Sequence, residues 1–224
     1  MGQEAEYLED VMPVITVSRQ TGSGGAEIGR RLAAHLGASY LNPQIVHTVA
    51  ERLEIPEELA AAYDERTESV LDRLARVLLL MNPPVGLDER AMRALPLEPA
   101  TESIVEATRQ LVQEAARTGN AVIFGHGAQF ILAGQPEVLH IRFVAPLSRR
   151  VERVMRRARV SRTVAEQQVR AEDHRRATYI REYYHADWAD PTPFHLILNT
   201  GLWNEDTCIK LVLNALDELG RQSA

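Results

Sequence analysis

Lysine is nearly missing from this chain. Of its 25 basic side chains only Lys210, near the C-terminus, is a lysine; the rest are arginines. A cation for any phosphate group must therefore come from arginine, the backbone or a metal. Cysteine is as scarce. Cys208 stands alone, which excludes an intramolecular disulfide framework and a CxxC or Cys/His zinc pattern, and leads to the expectation of a reducing cytoplasm. No apolar run approaches the ~20 residues of a membrane span; the longest, Val77 to Met81, amounts to one helix face. A basic leader is lacking too. Residues 1–12 carry Glu4, Glu6, Glu9 and Asp10 with no basic residue, an acidic tail rather than a targeting segment. The formal net charge of −6 argues against a nucleic-acid binder.

What is present suits one α/β domain over residues 13–224: 224 residues in all, of which 45% are hydrophobic, an ordinary share for a globular core. Five apolar runs read as buried strands: Val14 to Ser18, Ala38 to Leu41, Ala121 to Gly125, Val138 to Val144 and His195 to Leu198. Helical periodicity separates them. Ile28, Leu32 and Leu36 mark the first helix, which Gly37 ends. Asn42-Pro43 opens the second, as N-cap and first helical residue. Thr163-Val164-Ala165-Glu166 reads as a capping box that starts a helix running to about His185. Strands alternating with helices predict a doubly wound parallel sheet. Residues 57–118 add no strand and are expected to form a helical insertion over the acceptor side of the site. Charge is uneven: residues 142–182 hold twelve arginines against five acids. This basic stretch, about 149–185, is the expected lid.

The stretch richest in chemistry is Val14-Ile15-Thr16-Val17-Ser18-Arg19-Gln20-Thr21-Gly22-Ser23-Gly24-Gly25-Ala26-Glu27-Ile28-Gly29. A strand, a glycine cluster and a helix in that order make a phosphate-binding loop, in which backbone N–H groups and a helix N-terminus converge on one anion. Thr21, Gly22, Ser23, Gly24, Gly25, Ala26 and Glu27 are the expected phosphate contacts. Against the usual G-x-x-x-x-G-K-[ST], only Gly24 is kept; Arg19 stands at the first glycine, Gly25 at the lysine and Ala26 at the magnesium-holding hydroxyl.

Four blocks together resemble the cytidylate kinase-like family of P-loop kinases. They are the loop just quoted, Val122-Ile123-Phe124-Gly125-His126-Gly127-Ala128-Gln129-Phe130-Ile131-Leu132, Asp173-His174-Arg175-Arg176-Ala177 with Tyr183-Tyr184 and Trp188, and Phe194-His195-Leu196-Ile197-Leu198-Asn199-Thr200. The resemblance spans nearly all of residues 13–219. It implies a three-layer α/β/α P-loop kinase-type fold with a five-stranded parallel sheet, ATP as phosphoryl donor and Mg²⁺ as its companion. Asp173 and Arg176 match the family's Asp-x-x-Arg pair. Where cytidylate kinases carry an aspartate and an arginine after the second strand, this chain has Asn42 and Thr48. Where they carry Gly-Arg-Asp after the third, it has Gly125-His126-Gly127.

Phosphoryl transfer needs positioning and cations more than covalent help. Arg19, just past the first strand, is placed to do the work of the missing lysine, with a paired geometry that lysine lacks. Arg150, Arg153 and Arg157 share a helix face by spacing and form either a clamp on a triphosphate or a solvated basic surface. Asp173 and Arg176 are either an ordinary surface ion pair or, as the resemblance implies, placed at the reacting groups; Asn42 is expected on the acceptor, and His126 either there or packed in the interior. Glu27 either complements the helix dipole or holds magnesium through water; no residue is assigned as a metal ligand. The expected activity is transfer of the ATP γ-phosphoryl group to a nucleoside monophosphate or other small acceptor. Two rivals stand beside it: a catalytically weak pseudokinase that binds nucleotide as a regulatory module, and an interaction domain with an empty loop. Expected partners are a nucleotide or small-molecule acceptor, with no nucleic acid and no membrane; a homodimer is left open.

Overall fold

The computed structural model of the chain describes residues 13–41, 43–54 and 98–223. The acidic tail 1–12, Asn42 and residues 57–97 of the expected insertion lie outside them. In chain order the described elements are β1 (Val14–Arg19), α1 (Gly25–Leu36), β2 (Ser39–Leu41), α2 (Pro43–Arg52), α3 (Glu98–Thr118), β3 (Ala121–Phe124), α4 (Ala128–Ile131), β4 (Val138–Val144), α5 (Leu147–Ala158), α6 (Arg162–Tyr184), β5 (Leu196–Asn199) and α7 (Glu205–Ser223). Every strand pairing is parallel, and the order is β2-β3-β1-β4-β5. The expected five-stranded α/β/α sheet is thus what the chain forms, with β1 at its centre.

Alternation along the strands sorts the core into two layers. Ile15, Val17, Val122, Phe124, Leu139, Ile141 and Phe143 meet α1 and α7 through Ile28, Leu32, Val212 and Leu216. Val14, Ala121, Ile123 and Val138 meet α2, α3 and α4 through Val49, Ile104, Val112 and Ala128. On this second face the middle of the sheet changes character toward the carboxyl ends. The register pairs Val14 with Val138, then Thr16 with His140, then Ser18 with Arg142. An apolar floor therefore becomes polar where ligands of open α/β sheets bind.

Two expectations on local structure are corrected. The capping box at Thr163 is not used. Ser161 is the N-cap, its Oγ accepting the Val164 N–H at 3.4 Å, and α6 begins at Arg162. Ser161 takes the Val164 N–H where Thr163 would have taken that of Glu166, so the helix starts two residues earlier, and the Ala165 N–H closes on the Ser161 carbonyl at 2.9 Å. The four-residue α4 was not expected. It follows from Gly127, whose left-handed φ of 69° turns the chain straight from β3 into a helical turn.

Candidate active site at the carboxyl ends of the strands

The loop between β1 and α1 starts as an extension of the sheet. The Gln20 N–H donates to the Phe143 carbonyl at 3.0 Å, and Gln20 Oε1 accepts the Ala145 N–H at 3.1 Å. Gly22 and Gly24 then take φ of 77° and 86°. A Cβ at Gly22 would stand 2.6 Å from the Arg150 carbonyl oxygen, so glycine is required there on both counts. Gly25, at the position of the usual lysine, has a normal φ but no room. A Cβ would lie 2.9 Å from Phe143 Cδ2 and 3.0 Å from Arg19 Cβ. Ala26 is exposed on the first turn of α1, and Glu27 pairs with Arg30 at the surface.

The arginines of α5 grip this loop from outside. Arg150 Nη1 donates to the Thr21 carbonyl at 3.2 Å and to Asp173 Oδ2 at 2.5 Å; its Nε donates to the Ala145 carbonyl at 3.0 Å. Arg153 Nη1 donates to the carbonyls of Ser23 and Gly22 at 2.8 and 3.3 Å, and its Nη2 to the Thr200 carbonyl at 2.7 Å. Asp173 of α6 accepts the Thr21 N–H at 2.8 Å, while Arg176 Nη1 donates to Thr21 Oγ1 at 2.5 Å. Every polar group of Thr21 is thus tied to the α5–α6 hairpin. Because a trans peptide points its N–H opposite its C=O, holding the carbonyls of Thr21 and Ser23 on the arginine side aims the Gly22 and Gly24 N–H groups the other way. The Ser23 and Gly25 N–H groups are committed inside the loop, to the Gln20 carbonyl and to Ser23 Oγ. The expected triphosphate clamp is thus built as a brace on the loop's own backbone.

Beside the loop, the ends of β1 and β3 enclose a narrow crevice of about 10 Å³, lined by Ser18, Arg19, Gly125, Gly127, Gln129, Arg176, Tyr179, Ile180 and Trp188. Two expected site residues, Arg19 and Arg176, meet there. The Arg19 guanidinium lies over the Phe124 ring, 4.1 Å from its centroid. Gly125, His126 and Gly127 are left-handed in succession, at 80°, 56° and 69°. A buried histidine in that conformation is strained backbone. Tyr184 holds it, its hydroxyl donating to the His126 carbonyl at 2.9 Å while its ring fills the space a Gly127 Cβ would need. The His126 ring is 2% exposed, and the crevice is lined instead by its glycine neighbours.

Sequence reading missed Arg142. It lies at the polar end of β4, buried, with its guanidinium 4.5 Å from the Trp188 ring centroid and 5.3 Å from that of Phe194. Burial pushes its pKa below the ordinary arginine value, against the pull of Asp173 and Asp187. The signal was available: His140-Ile141-Arg142 alternates polar with apolar inside a run otherwise read as wholly buried.

A parallel sheet in the order β2-β3-β1-β4-β5, with a glycine loop leading from the central strand into α1, is the fold of the P-loop kinases. The chain belongs to the cytidylate kinase-like family, whose sequence model matches residues 14–202. Among its relatives, the cytidylate kinase of Methanopyrus kandleri is 27% identical over 92% of this chain and 94% of its own length. That of Ignicoccus hospitalis is 23% identical over 92% and 99%. Among solved structures, an uncharacterized protein from Eubacterium ventriosum superposes with a TM-score of 0.64 at 17% identity, covering 92% of this chain and 98% of that one. Shikimate kinase from Acinetobacter baumannii, in complex with shikimate, gives 0.50 at 13% identity over 96% and 97%. At these identities the structural likeness speaks for the fold alone.

Proposed function

We propose that this protein is a phosphotransferase that holds the ATP phosphates on the Thr21–Glu27 loop and passes the γ-phosphoryl group to a nucleoside monophosphate or other small acceptor. The observation that carries this reading is the braced loop, with the Gly22 and Gly24 N–H groups turned away from the arginines at the carboxyl end of the central strand. In the transfer an acceptor oxygen bonds to the γ-phosphorus, the bond to the β–γ bridging oxygen breaks, ADP leaves, and any proton on the acceptor oxygen passes to water. Arg19 supplies the cation that lysine gives elsewhere, and Arg176 faces it across the crevice. Relatives named cytidylate kinase favour a nucleotide acceptor. Among the described residues the usual magnesium-holding hydroxyl is replaced by Ala26, and Asp173 is engaged by two arginines, so magnesium here would be held chiefly by the ATP phosphates and water. The lost hydroxyl favours one second reading, a nucleotide-binding protein with little turnover.

The test is calorimetry with ATP and Mg²⁺, followed by ADP release with a panel of monophosphates. Arg19→Ala is expected to weaken ATP binding or turnover 10–100-fold, roughly 1.4–2.8 kcal/mol for one charged contact. Arg19→Lys recovers part of that loss, and Lys210→Ala is silent. Binding without turnover selects the second reading. A silent Arg19→Ala beside a damaging Lys210→Ala overturns the placement of the cation.

A further inference from the structure

The polar end of the sheet face that carries Thr16, Ser18 and His140 runs under Trp188. Arg142 is 5% exposed, and among the described residues no carboxylate stands within ion-pair distance of it. Its direct neighbours are the rings of Trp188 and Phe194 and the Trp188 carbonyl, to which Nη1 donates. Taking a guanidinium out of water is costly, and here its contacts fix one residue twice, by its ring and by its backbone. Trp188 also lines two hollows. One is the narrow crevice with Arg19 and Arg176. The other is a wider concavity of about 460 Å³, bordered by Ala177, Arg181, His185, Ala186 and Asp187. That volume suits a small organic ligand. An indole already immobilised by Arg142 loses little freedom when a flat ring stacks on it, and stacking on tryptophan tolerates any planar base. Arg181 and Asp187 put a donor and an acceptor at the edge of the same hollow.

Resting on the kinase reading above, we infer that Trp188 is the stacking wall for the acceptor. A planar heteroaromatic ring of nucleobase size lies in the wider concavity, with its anionic end turned toward Arg19 and Arg176. Arg142 positions the indole and does not touch the acceptor.

The chain has two tryptophans, so Trp203→Phe leaves Trp188 as the sole indole reporter. Titration with cytidine monophosphate and with cytidine is expected to quench its emission saturably, and titration with shikimate, which has no aromatic ring, to leave it unchanged. Trp188→Leu is expected to raise the KM for the monophosphate at least 10-fold with kcat changed less than 3-fold, while ATP affinity by calorimetry stays within 2-fold. Trp188→Phe keeps most of the acceptor affinity. Emission from Trp188 that ignores every nucleoside monophosphate overturns the inference, as does a Trp188→Leu protein whose ATP affinity falls along with the rise in acceptor KM. Absence of ATP binding by the unaltered protein, read in the separate calorimetry, counts against the kinase reading instead.

Discussion

Gly25 decides, at the scale of one residue, what kind of phosphate loop this is. The usual loop has a lysine there. In this fold the space beside its Cα belongs to Phe143 and to Arg19 Cβ, so a side chain fails at its first carbon, before any charge is reached. Gly25→Ala and Gly25→Lys should therefore destabilise the protein by the same amount, about 1–3 kcal/mol, the range for overpacking a filled core. Gly25→Lys should bring no gain in ATP affinity. Urea denaturation and calorimetry on the two variants check this. A lysine variant as stable as the natural chain and tighter for ATP would show that the pocket yields and that the lysine was simply lost. The cations around the loop are arginines, whose planar fork holds two carbonyls from one position, as Arg153 does with Ser23 and Thr200.

At the scale of elements, α5 and α6 form a hairpin with its own small core of Val151, Ala165 and Val169. They are stitched to the loop through Arg150, Asp173 and Arg176, whose side chains are 10%, 15% and 11% exposed. Removing one member of so enclosed a set strands the charge of another. Asp173→Ala should cost about 2–4 kcal/mol of stability and, because it releases the Thr21 N–H, should weaken ATP binding as well. Asp173→Asn, which can still accept that N–H, should lose stability but keep more of the affinity. Glu166→Gln, which breaks an exposed pair with Arg170 on the same helix, should stay within about 0.5 kcal/mol. Equal effects at Asp173 and Glu166 in thermal melts would mean that the hairpin does not brace the loop.

At the scale of the whole molecule, a buried imidazole links stability to pH. His140 lies mid-sheet, its Nδ1 2.7 Å from Thr16 Oγ1, its backbone N–H donating to His195 Nδ1 at 3.1 Å and its ring stacked on that of His195 at 5.0 Å. Burial first, and His195 second, pull its pKa from 6.5 to about 4. The unfolded chain takes up a proton as pH falls through 6.5, whereas the folded chain refuses it until about 4. The stability from keeping His140 neutral is therefore full above pH 6.5 and lost progressively down to pH 4, by about 2–3 kcal/mol over the window. His140→Gln, which keeps a polar partner for Thr16 but cannot titrate, should flatten that slope. Urea midpoints at pH 7 and pH 4.5 measure it, and an unchanged slope would place the sensitive group elsewhere.

Much of this architecture follows from the sequence by itself. The five strands, the glycine loop entering α1 and the αL stop at Gly37 are visible there, because alternation, helical periodicity and glycine placement act within a few residues of each other. The site was legible in part and for the same reason. Arg19, Gly24, Asp173 and Arg176 sit where local motifs put them, and Trp188 belongs to the third matching block without a role attached, whereas Arg142 carries no motif. Only the tertiary structure decided that Arg150 and Arg153 face the loop's carbonyls, that Gly25 meets Phe143, and that Arg142 clamps Trp188. These contacts join groups 46 to 131 positions apart, and a helix face that reads as solvated charge in one dimension becomes a brace when β1 and β4 lie side by side. The physical reason is that a charged side chain's role is set by which acceptor it can reach, and that depends on how separate elements pack, a property no local stretch of chain contains.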